Sequence, residues 1–140
     1  MSIYVVDASV AAKWFFEEDH TESALRLFGG DNQLHAPDFM LLELDSVLCK
    51  KIRLKELISK DALEIRSALR TFPITRHPFG MLMDPAFELA HQTQSSPYDC
   101  LYLVLAMLLH GELVTADRRF YNIHFRGPFF NHLCWVEDLP

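Results

Sequence analysis

The sequence predicts an α/β protein in which helices cover both faces of a central, mostly parallel sheet, a three-layer α/β/α sandwich. Two short segments, 3–6 and 113–116, consist almost wholly of apolar residues, which is typical of strands that are buried on both faces. Segments with helical periodicity separate the strand segments along the chain. Because strands that alternate with helices pair in parallel, we expect one sheet and a single domain over residues 1–140.

Capping residues, glycines and prolines delimit the individual elements. The first half of the chain predicts, in order, a strand over 3–6, a helix capped by Ser9 and ending near Phe16, a helix over 21–28 ended by Gly29 and Gly30, a strand over 33–36, and a helix capped by Asp38 and ending near Arg53. The second half predicts a helix from 59 or 60 to 69, a strand over 73–75, a helix capped by Asp84 and ending near Gln94, a helix that begins at Ser96 and Pro97 and ends at His110, a strand over 113–115, a helical turn over 117–122 and an edge strand over 133–136.

Composition and charge limit the possible functions. The net charge of −6 argues against strong non-specific binding to nucleic acid, although a bound cation would neutralise part of that charge. The cysteines, Cys49, Cys100 and Cys134, are odd in number and in no CxxC spacing, so we expect buried thiols in a reducing compartment. We expect no signal peptide, and the longest apolar run, 101–109, is too short to span a bilayer. These features predict a cytoplasmic protein without a membrane span.

Four acidic residues are notable for their places in the predicted elements. Asp7 and Asp117 end the two buried strand segments, and ligands in an open parallel sheet bind beyond the carboxyl ends of the strands. Glu43 and Asp99 interrupt apolar helical segments. Carboxylates brought together raise one another's cost of ionisation, and a hard divalent cation between them offsets that cost. The pattern therefore predicts a metal site for chemistry on a phosphate group.

Each of these acids also has an ordinary structural explanation. Asp7 and Asp117 are suited to cap the helix that follows each of them, and Asp99 lies where a capping box with Ser96 would place it. Glu43 lies in mid-helix, where no capping role exists, so its alternative is a half-exposed surface position. A capping role and a role in a site can coexist on one carboxylate, so both interpretations stay open.

Three small polar residues share a face with one of the acids and are placed to orient it, although each also fits an ordinary capping, strand or surface role. They are Ser9 after Asp7, Thr115 before Asp117, and Ser46 one turn after Glu43.

Other charged residues and motifs narrow the choice further. Asp45 lies two residues after Glu43 and points to roughly the opposite side of the helix, so we expect it outside the site. Arg118 and Arg119 follow Asp117 and are candidates for holding flanking phosphates. The chain contains no HExxH, GxSxG, P-loop or GxGxxG motif, so zinc, serine-triad and nucleotide-cofactor chemistry are not predicted.

Taken in order along the chain, four segments resemble the PIN-domain family, and within it the toxin ribonucleases of the VapC type. The segments are Tyr4–Val10, Ala36–Asp38 with Glu43, Tyr98–Tyr102 with Ala106, and Val114–Phe120, whereas residues 72–87 show little likeness.

The resemblance implies an endoribonuclease that depends on Mg²⁺ or Mn²⁺, with Asp7, Glu43, Asp99 and Asp117 in one acidic pocket. Asp7 and Asp99 are then the best candidates for direct metal ligands, while Asp117 binds directly or through water and Glu43 is a ligand or a base that orients water. The resemblance also implies a homodimer and an antitoxin protein that inserts into the site. One departure is Ser46, because relatives often have asparagine at that position.

The sequence is also compatible with two other functions. One is a non-cleaving module of the same fold that binds RNA or a protein, and the presence of all four acids argues against it. The other is a doubly wound phosphatase with an aspartyl nucleophile. Such enzymes generally need a DxD arrangement, where this chain has Asp7-Ala8-Ser9.

Overall fold

Five short strands form one parallel sheet in the computed structural model, which describes all residues from Met1 to Pro140. Their spatial order is the third, second, first, fourth and fifth strand, and every neighbouring pair is parallel. The sheet is therefore wholly parallel where the sequence predicted a mostly parallel one. The strands are β1 (Ile3–Val6), β2 (Gln33–Pro37), β3 (Ile74–His77), β4 (Glu112–Thr115) and β5 (Leu133–Trp135).

Seven helices connect the strands, together with short 3₁₀ turns over Arg26–Phe28, Phe79–Leu82, Phe130–His132 and Val136–Asp138. The helices are α1 (Ala8–Ala12), α2 (Thr21–Leu25), α3 (Phe39–Arg53), α4 (Ser59–Thr71), α5 (Met83–Thr93), α6 (Pro97–Leu108) and α7 (Arg118–Phe125).

The strand order places the helices on opposite faces of the sheet. Connections from β1 to β2 and from β2 to β3 run toward one edge, whereas those from β3 to β4 and from β4 to β5 run toward the other. Because such crossovers are right-handed, α1–α4 and α5–α7 cover different faces. This confirms the predicted α/β/α sandwich. The direction of winding reverses between β1 and β4, and that boundary is where open α/β sheets bind ligands.

Two helix starts differ from the sequence prediction. Asp7, not Ser9, caps α1, because its side chain accepts a hydrogen bond from the amide of Val10. Helix α1 ends at Ala12 instead of Phe16, and the aromatic side chains of residues 14 and 15 pack against Phe72 instead. Helix α5 begins one residue before Asp84, which therefore lies in its first turn and not at its cap.

Asp38 occupies the predicted N-cap position of α3 but bonds to a different segment. Its carboxylate accepts a hydrogen bond from the amide of Phe79 at 3.2 Å, and its own amide donates to the carbonyl of His77 at 2.8 Å. Asp38 thus fastens the start of α3 to the end of β3.

One cluster of 34 buried apolar residues forms the core. Helix α6 supplies a continuous buried run, Cys100–Ala106, because it packs on the sheet with one side and on α5 with another. All three cysteines are free thiols, but Cys49 is exposed, so the prediction that it is buried is wrong. It lies in an open groove between α3 and α4. None of the helices combines the length and the apolar character that crossing a membrane requires.

A candidate active site at the carboxyl edge of the sheet

The strand ends bring Asp7 and Asp117 to the same place. Strands β1 and β4 are hydrogen-bonded neighbours with Val6 opposite Val114, so the residues that follow them leave the sheet side by side. This is also the boundary where the winding of the sheet reverses. The sequence prediction that these two acids meet beyond the strand ends agrees with this register.

Asp7 is held firmly by the start of α1. Its Oδ1 accepts hydrogen bonds from the amide of Val10 at 2.9 Å and from the hydroxyl of Ser9 at 2.8 Å. Burial raises the pKa of Asp7, the two hydrogen bonds oppose that rise, and the nearby carboxylate of Asp117 adds to it. Lys13 lowers the same pKa by its charge. The Ser9 hydroxyl therefore lies beside the Asp7 carboxylate, as its spacing predicts.

Asp117 caps a helix and lies at the same edge of the sheet as Asp7. Its Oδ1 accepts a hydrogen bond from the amide of Phe120 at 3.1 Å and so caps α7. Its own amide donates to the hydroxyl of Thr115 at 3.0 Å. The capping bond uses one carboxylate oxygen, which leaves the exposed carboxylate able to face the neighbouring acids.

Asp99 lies in the first turn of α6, and its negative charge is costly because of burial and the neighbouring acids. Burial, followed by repulsion from Asp7 and from Asp117, raises the pKa of Asp99 to about 6. The hydroxyl of Ser96 caps α6 by accepting from the amide of Tyr98 at 3.1 Å. Asp99 makes no return bond to Ser96, so the full capping box is absent and that structural explanation of the acid fails.

Glu43 is half-buried on α3, and its carboxylate lies near those of Asp7 and Asp99. The hydroxyl of Tyr102 donates a hydrogen bond to Glu43 Oε1. Burial raises the pKa of Glu43, this hydrogen bond opposes the rise, and the charges of Asp7 and Asp99 add to it. Glu43 is therefore held by a polar contact with α6, as the site interpretation of this residue requires, although it is only half-buried. Asp45, by contrast, points away and pairs with Arg66, with N–O distances of 2.6 and 3.1 Å.

Sequence reasoning missed Tyr102 as part of the site. Tyr102 is only 1% exposed, and its hydroxyl donates a hydrogen bond to Glu43. Burial and the neighbouring Glu43 raise its pKa, so the phenol stays protonated. The available signal was its position three residues after Asp99, which places both side chains on one face of α6.

The acids border three openings. A narrow gap lies among Asp7, Asp99 and Asp117, with Tyr102 and Thr115 in its wall. On one side is a polar pocket of about 190 Å³, lined by Gln94, Ser95, Ser96, Asp99, Asp117, Arg119, Phe120 and Ile123. On the other side is a wider groove of about 510 Å³, lined by Ala8, Ser9, Phe39, Leu42, Glu43, Ser46, Val47 and Tyr98.

The two adjacent arginines have different surroundings. Arg119 lines the polar pocket together with Asp99 and Asp117. Arg118 instead lies over the ring of Trp135, with its guanidinium carbon 3.7 Å from the ring centroid. Of the two residues proposed to hold flanking phosphates, only Arg119 lines this pocket.

The donor set suits a hard divalent cation. All four side chains offer carboxylate oxygens, and the mutual repulsion that raises the pKa of Glu43 and Asp99 is the kind that a cation relieves. No three acidic, histidine or cysteine side chains converge on one point. Mg²⁺ commonly uses one or two carboxylates and keeps several waters, so pairs of these acids are sufficient ligands.

Fold and site together define a doubly wound α/β protein with an acidic pocket where the winding reverses. The family model for the PIN domain matches residues 4–126. The chain belongs to the PIN domain family, as the four sequence segments suggested.

Similar proteins agree with this placement. The chain is 31% identical over 117 residues to ribonuclease VapC3 of Pyrobaculum aerophilum, covering 82% of this chain and 89% of the relative. It is 29% identical to ribonuclease VapC9 of Mycobacterium tuberculosis, covering 82% and 86%.

Two solved structures share the fold at low sequence identity. One is from a toxin–antitoxin complex of Klebsiella pneumoniae, with a TM-score of 0.60, 15% identity and coverage of 97% of this chain and 98% of that one. The other is from VapBC2 of Rickettsia felis bound to a DNA fragment from its promoter, with a TM-score of 0.61, 16% identity and coverage of 87% and 93%.

Proposed function

We propose that this protein is an endoribonuclease that hydrolyses RNA phosphodiester bonds with the help of Mg²⁺ or Mn²⁺, and that it is the toxin of a toxin–antitoxin pair. The observation that supports this most is the meeting of Asp7, Glu43, Asp99 and Asp117 at the switch point of a PIN domain. Relatives that are named ribonucleases and cover most of the chain support the same substrate class.

Asp7, Asp99 and Asp117 are the proposed metal ligands, acting in pairs, because no three acidic side chains converge on one point. A divalent cation at these oxygens supplies neutralisation of phosphate charge and a more acidic water. The fold keeps the ligands in place by different means. Backbone amides at the starts of α1 and α7 fix Asp7 and Asp117, whereas the helix itself fixes Asp99. The Ser9 hydroxyl keeps the Asp7 carboxylate in one orientation, and Thr115 anchors the backbone of Asp117.

Glu43 is the proposed group that orients the attacking water. The Tyr102 hydroxyl occupies Oε1, which leaves Oε2 to accept a hydrogen bond and then a proton from water. Its raised pKa makes Glu43 a better proton acceptor than an ordinary exposed glutamate. Ser46 lines the groove beside Glu43 and offers a short polar group to the same water or to the ribose.

Arg119 is the proposed contact for a flanking phosphate. It shares the polar pocket with Asp99 and Asp117, and an arginine matches phosphate oxygens in geometry and charge. Because the whole chain carries a net charge of −6, this local contact matters more than general attraction to a polyanion.

A protein antitoxin and a second copy of the chain are the proposed partners, and the proposed location is the cytoplasm. Structural neighbours from toxin–antitoxin complexes support the antitoxin, and free thiols suit a reducing compartment. Light scattering after size exclusion tests the dimer, and a monomer at micromolar concentration would contradict it.

The decisive experiment compares the wild type with Asp7→Asn on a broad panel of structured and single-stranded RNAs, with Mg²⁺, with Mn²⁺ and with EDTA. Asparagine also caps helices well, so the variant keeps the start of α1. We expect the substitution to reduce cleavage by about a hundredfold or more, as loss of a group that stabilises developing charge commonly does. EDTA should abolish cleavage by the wild type.

Glu43→Gln and Asp45→Asn form a matched pair on the same helix. Only Glu43 faces the site, while Asp45 pairs with Arg66 on the other side. We expect Glu43→Gln to lose activity and Asp45→Asn to keep it. Identical RNA profiles for the wild type and Asp7→Asn would leave the non-cleaving module as the better description.

A further inference from the structure

The groove on the α3 side of the acids is open, apolar in its walls and polar at its base. Its walls include Phe39, Leu42, Val47 and Tyr98, while Glu43 contributes a carboxylate. Its volume of about 510 Å³ exceeds the 190 Å³ of the polar pocket on the other side. We call it the aromatic groove.

Two aromatic rings from different helices form one wall of the aromatic groove. Phe39 of α3 and Tyr98 of α6 stack with ring centroids 5.5 Å apart and an angle of 16° between their planes. Phe79 also packs against Phe39, with ring centroids 5.7 Å apart and an angle of 57° between their planes. Tyr98 is nevertheless 59% exposed, so a large part of its ring is available to a ligand.

The aromatic groove is continuous with the acidic site. Tyr98 directly precedes Asp99 in α6, and both Glu43 and Ser9, which bonds to Asp7, line the groove. A nucleotide that adjoins a phosphate at the acids can therefore reach this groove. The groove offers flat rings and hydroxyls from Ser9 and Ser46, which suit a base and a ribose.

We propose that the aromatic groove binds a nucleobase next to the phosphate to be cut, and that this base stacks on Tyr98. The inference rests on the proposed ribonuclease function. Stacking on an aromatic side chain is tolerant of base identity because every base has a π face. Tyr98 is therefore a positioning residue for the substrate strand. Phe39 supports its ring from behind.

The test uses short single-stranded oligoribonucleotides and the full chain. Tyr98→Leu keeps an apolar side chain but removes the ring, and we expect it to lower kcat/KM at least about fivefold, which is the lower end of one base-stacking interaction. Most of the loss should appear in KM. Tyr98→Phe, which keeps the ring, should restore most of the rate.

Phe125→Leu is the matched control, because Phe125 is also exposed (47%) and belongs to a stacked pair, with Tyr121, outside the site. We expect it to cut RNA at the wild-type rate. A second measurement is independent of cleavage. Oligonucleotides with 2-aminopurine at successive positions are added to Asp7→Asn, and the fluorescence should fall at one position and not fall when Tyr98→Leu is also present.

The outcomes separate the two proposals. If Tyr98→Leu cuts at the wild-type rate, the base-binding groove is wrong and the nuclease stands. If the wild type cuts no RNA but quenching still depends on Tyr98, base binding stands and the nuclease is wrong. If cleavage and quenching are unchanged while Tyr98→Leu escapes inhibition by a co-expressed protein, the groove belongs to a protein partner and the inference is overturned.

Discussion

The two acids at the strand ends and the two acids on helices reach the same site but are stabilised differently. Asp7 and Asp117 each accept a backbone amide bond from the helix that they cap. Glu43 and Asp99 receive no backbone hydrogen bond, and the pKa of Asp99 rises to about 6. Capping therefore gives the strand-end pair a structural role, although burial raises the pKa of Asp7 as well. The helix pair has no such capping bond to offset the cost of its charge.

This difference indicates which acids the fold itself requires. A carboxylate that caps a helix has a structural reason to be present, with or without a ligand. A half-buried carboxylate with a raised pKa weakens the folded state at neutral pH and gains from a cation. Glu43 and Asp99 are therefore the stronger evidence for a functional site.

The largest effect on stability is expected at the hydrogen bond that Tyr102 of α6 donates to Glu43 of α3. Tyr102→Phe removes the only hydrogen bond to the half-buried Glu43, and leaving such a group without its partner costs about 1–3 kcal/mol. Urea unfolding at pH 8 in EDTA should show a loss of about 2 kcal/mol. Mg²⁺-dependent cleavage should fall as well. Unchanged stability would mean that water takes the place of the tyrosine hydroxyl as the hydrogen-bond donor, and that Glu43 is open to solvent.

A smaller effect is expected at a strand end. Asp117→Ala removes the cap of α7 and should cost about 1 kcal/mol in the free energy of unfolding, whereas Asp117→Asn should keep most of it because asparagine caps comparably. Chemical denaturation of both variants in EDTA measures the difference. Equal stability of the two variants would show that the capping bond contributes nothing, which would remove the distinction between the two pairs of acids.

The smallest expected effect is a gain in the free energy of unfolding, on substitution of Asp99. The folded-state pKa of Asp99 lies above its ordinary value of 3.8, so the folded state binds the extra proton and ionisation disfavours it. Asp99→Asn should therefore stabilise the protein above pH 6, by about 0.5–1 kcal/mol after allowance for partial exposure. The gain should shrink as the pH falls from 6 to 4 and vanish below that. Urea unfolding across this range in EDTA is the measurement, and destabilisation at pH 8 would contradict it.

Much of the fold and part of the site follow from the sequence. Apolar runs bounded by turns identify β1 and β4, and their carboxyl ends place Asp7 and Asp117 together once the sheet is taken as parallel. Local rules offer both Ser9 and Asp7 as the cap of α1 and cannot choose between polar residues two positions apart, whereas the structure selects Asp7. Nor could they foresee that α1 ends at Ala12, because that end depends on long-range packing against Phe72.

The remaining parts of the site depend on contacts between distant segments. The bond from Tyr102 to Glu43 joins residues 59 positions apart. The periodicity of the two helices does not predict it. Arg118 and Arg119 are adjacent and chemically identical, yet only the ring of Trp135, from the last strand, determines that Arg118 turns away. Such choices are made by tertiary packing, which a single sequence does not display.

The most direct test of the account is an NMR titration of the Asp99 carboxyl carbon, first in EDTA and then with saturating Mg²⁺. We expect a pKa of about 6 for Asp99 in EDTA and a clearly lower value with Mg²⁺, because the cation replaces the proton as the partner of the carboxylate. The carboxyl carbon of Asp45, which pairs with Arg66 outside the site, should keep its chemical shift when Mg²⁺ is added. An Asp99 that titrates near 3.8 in EDTA, or that does not respond to Mg²⁺, would contradict the claim that these acids are assembled to hold a metal.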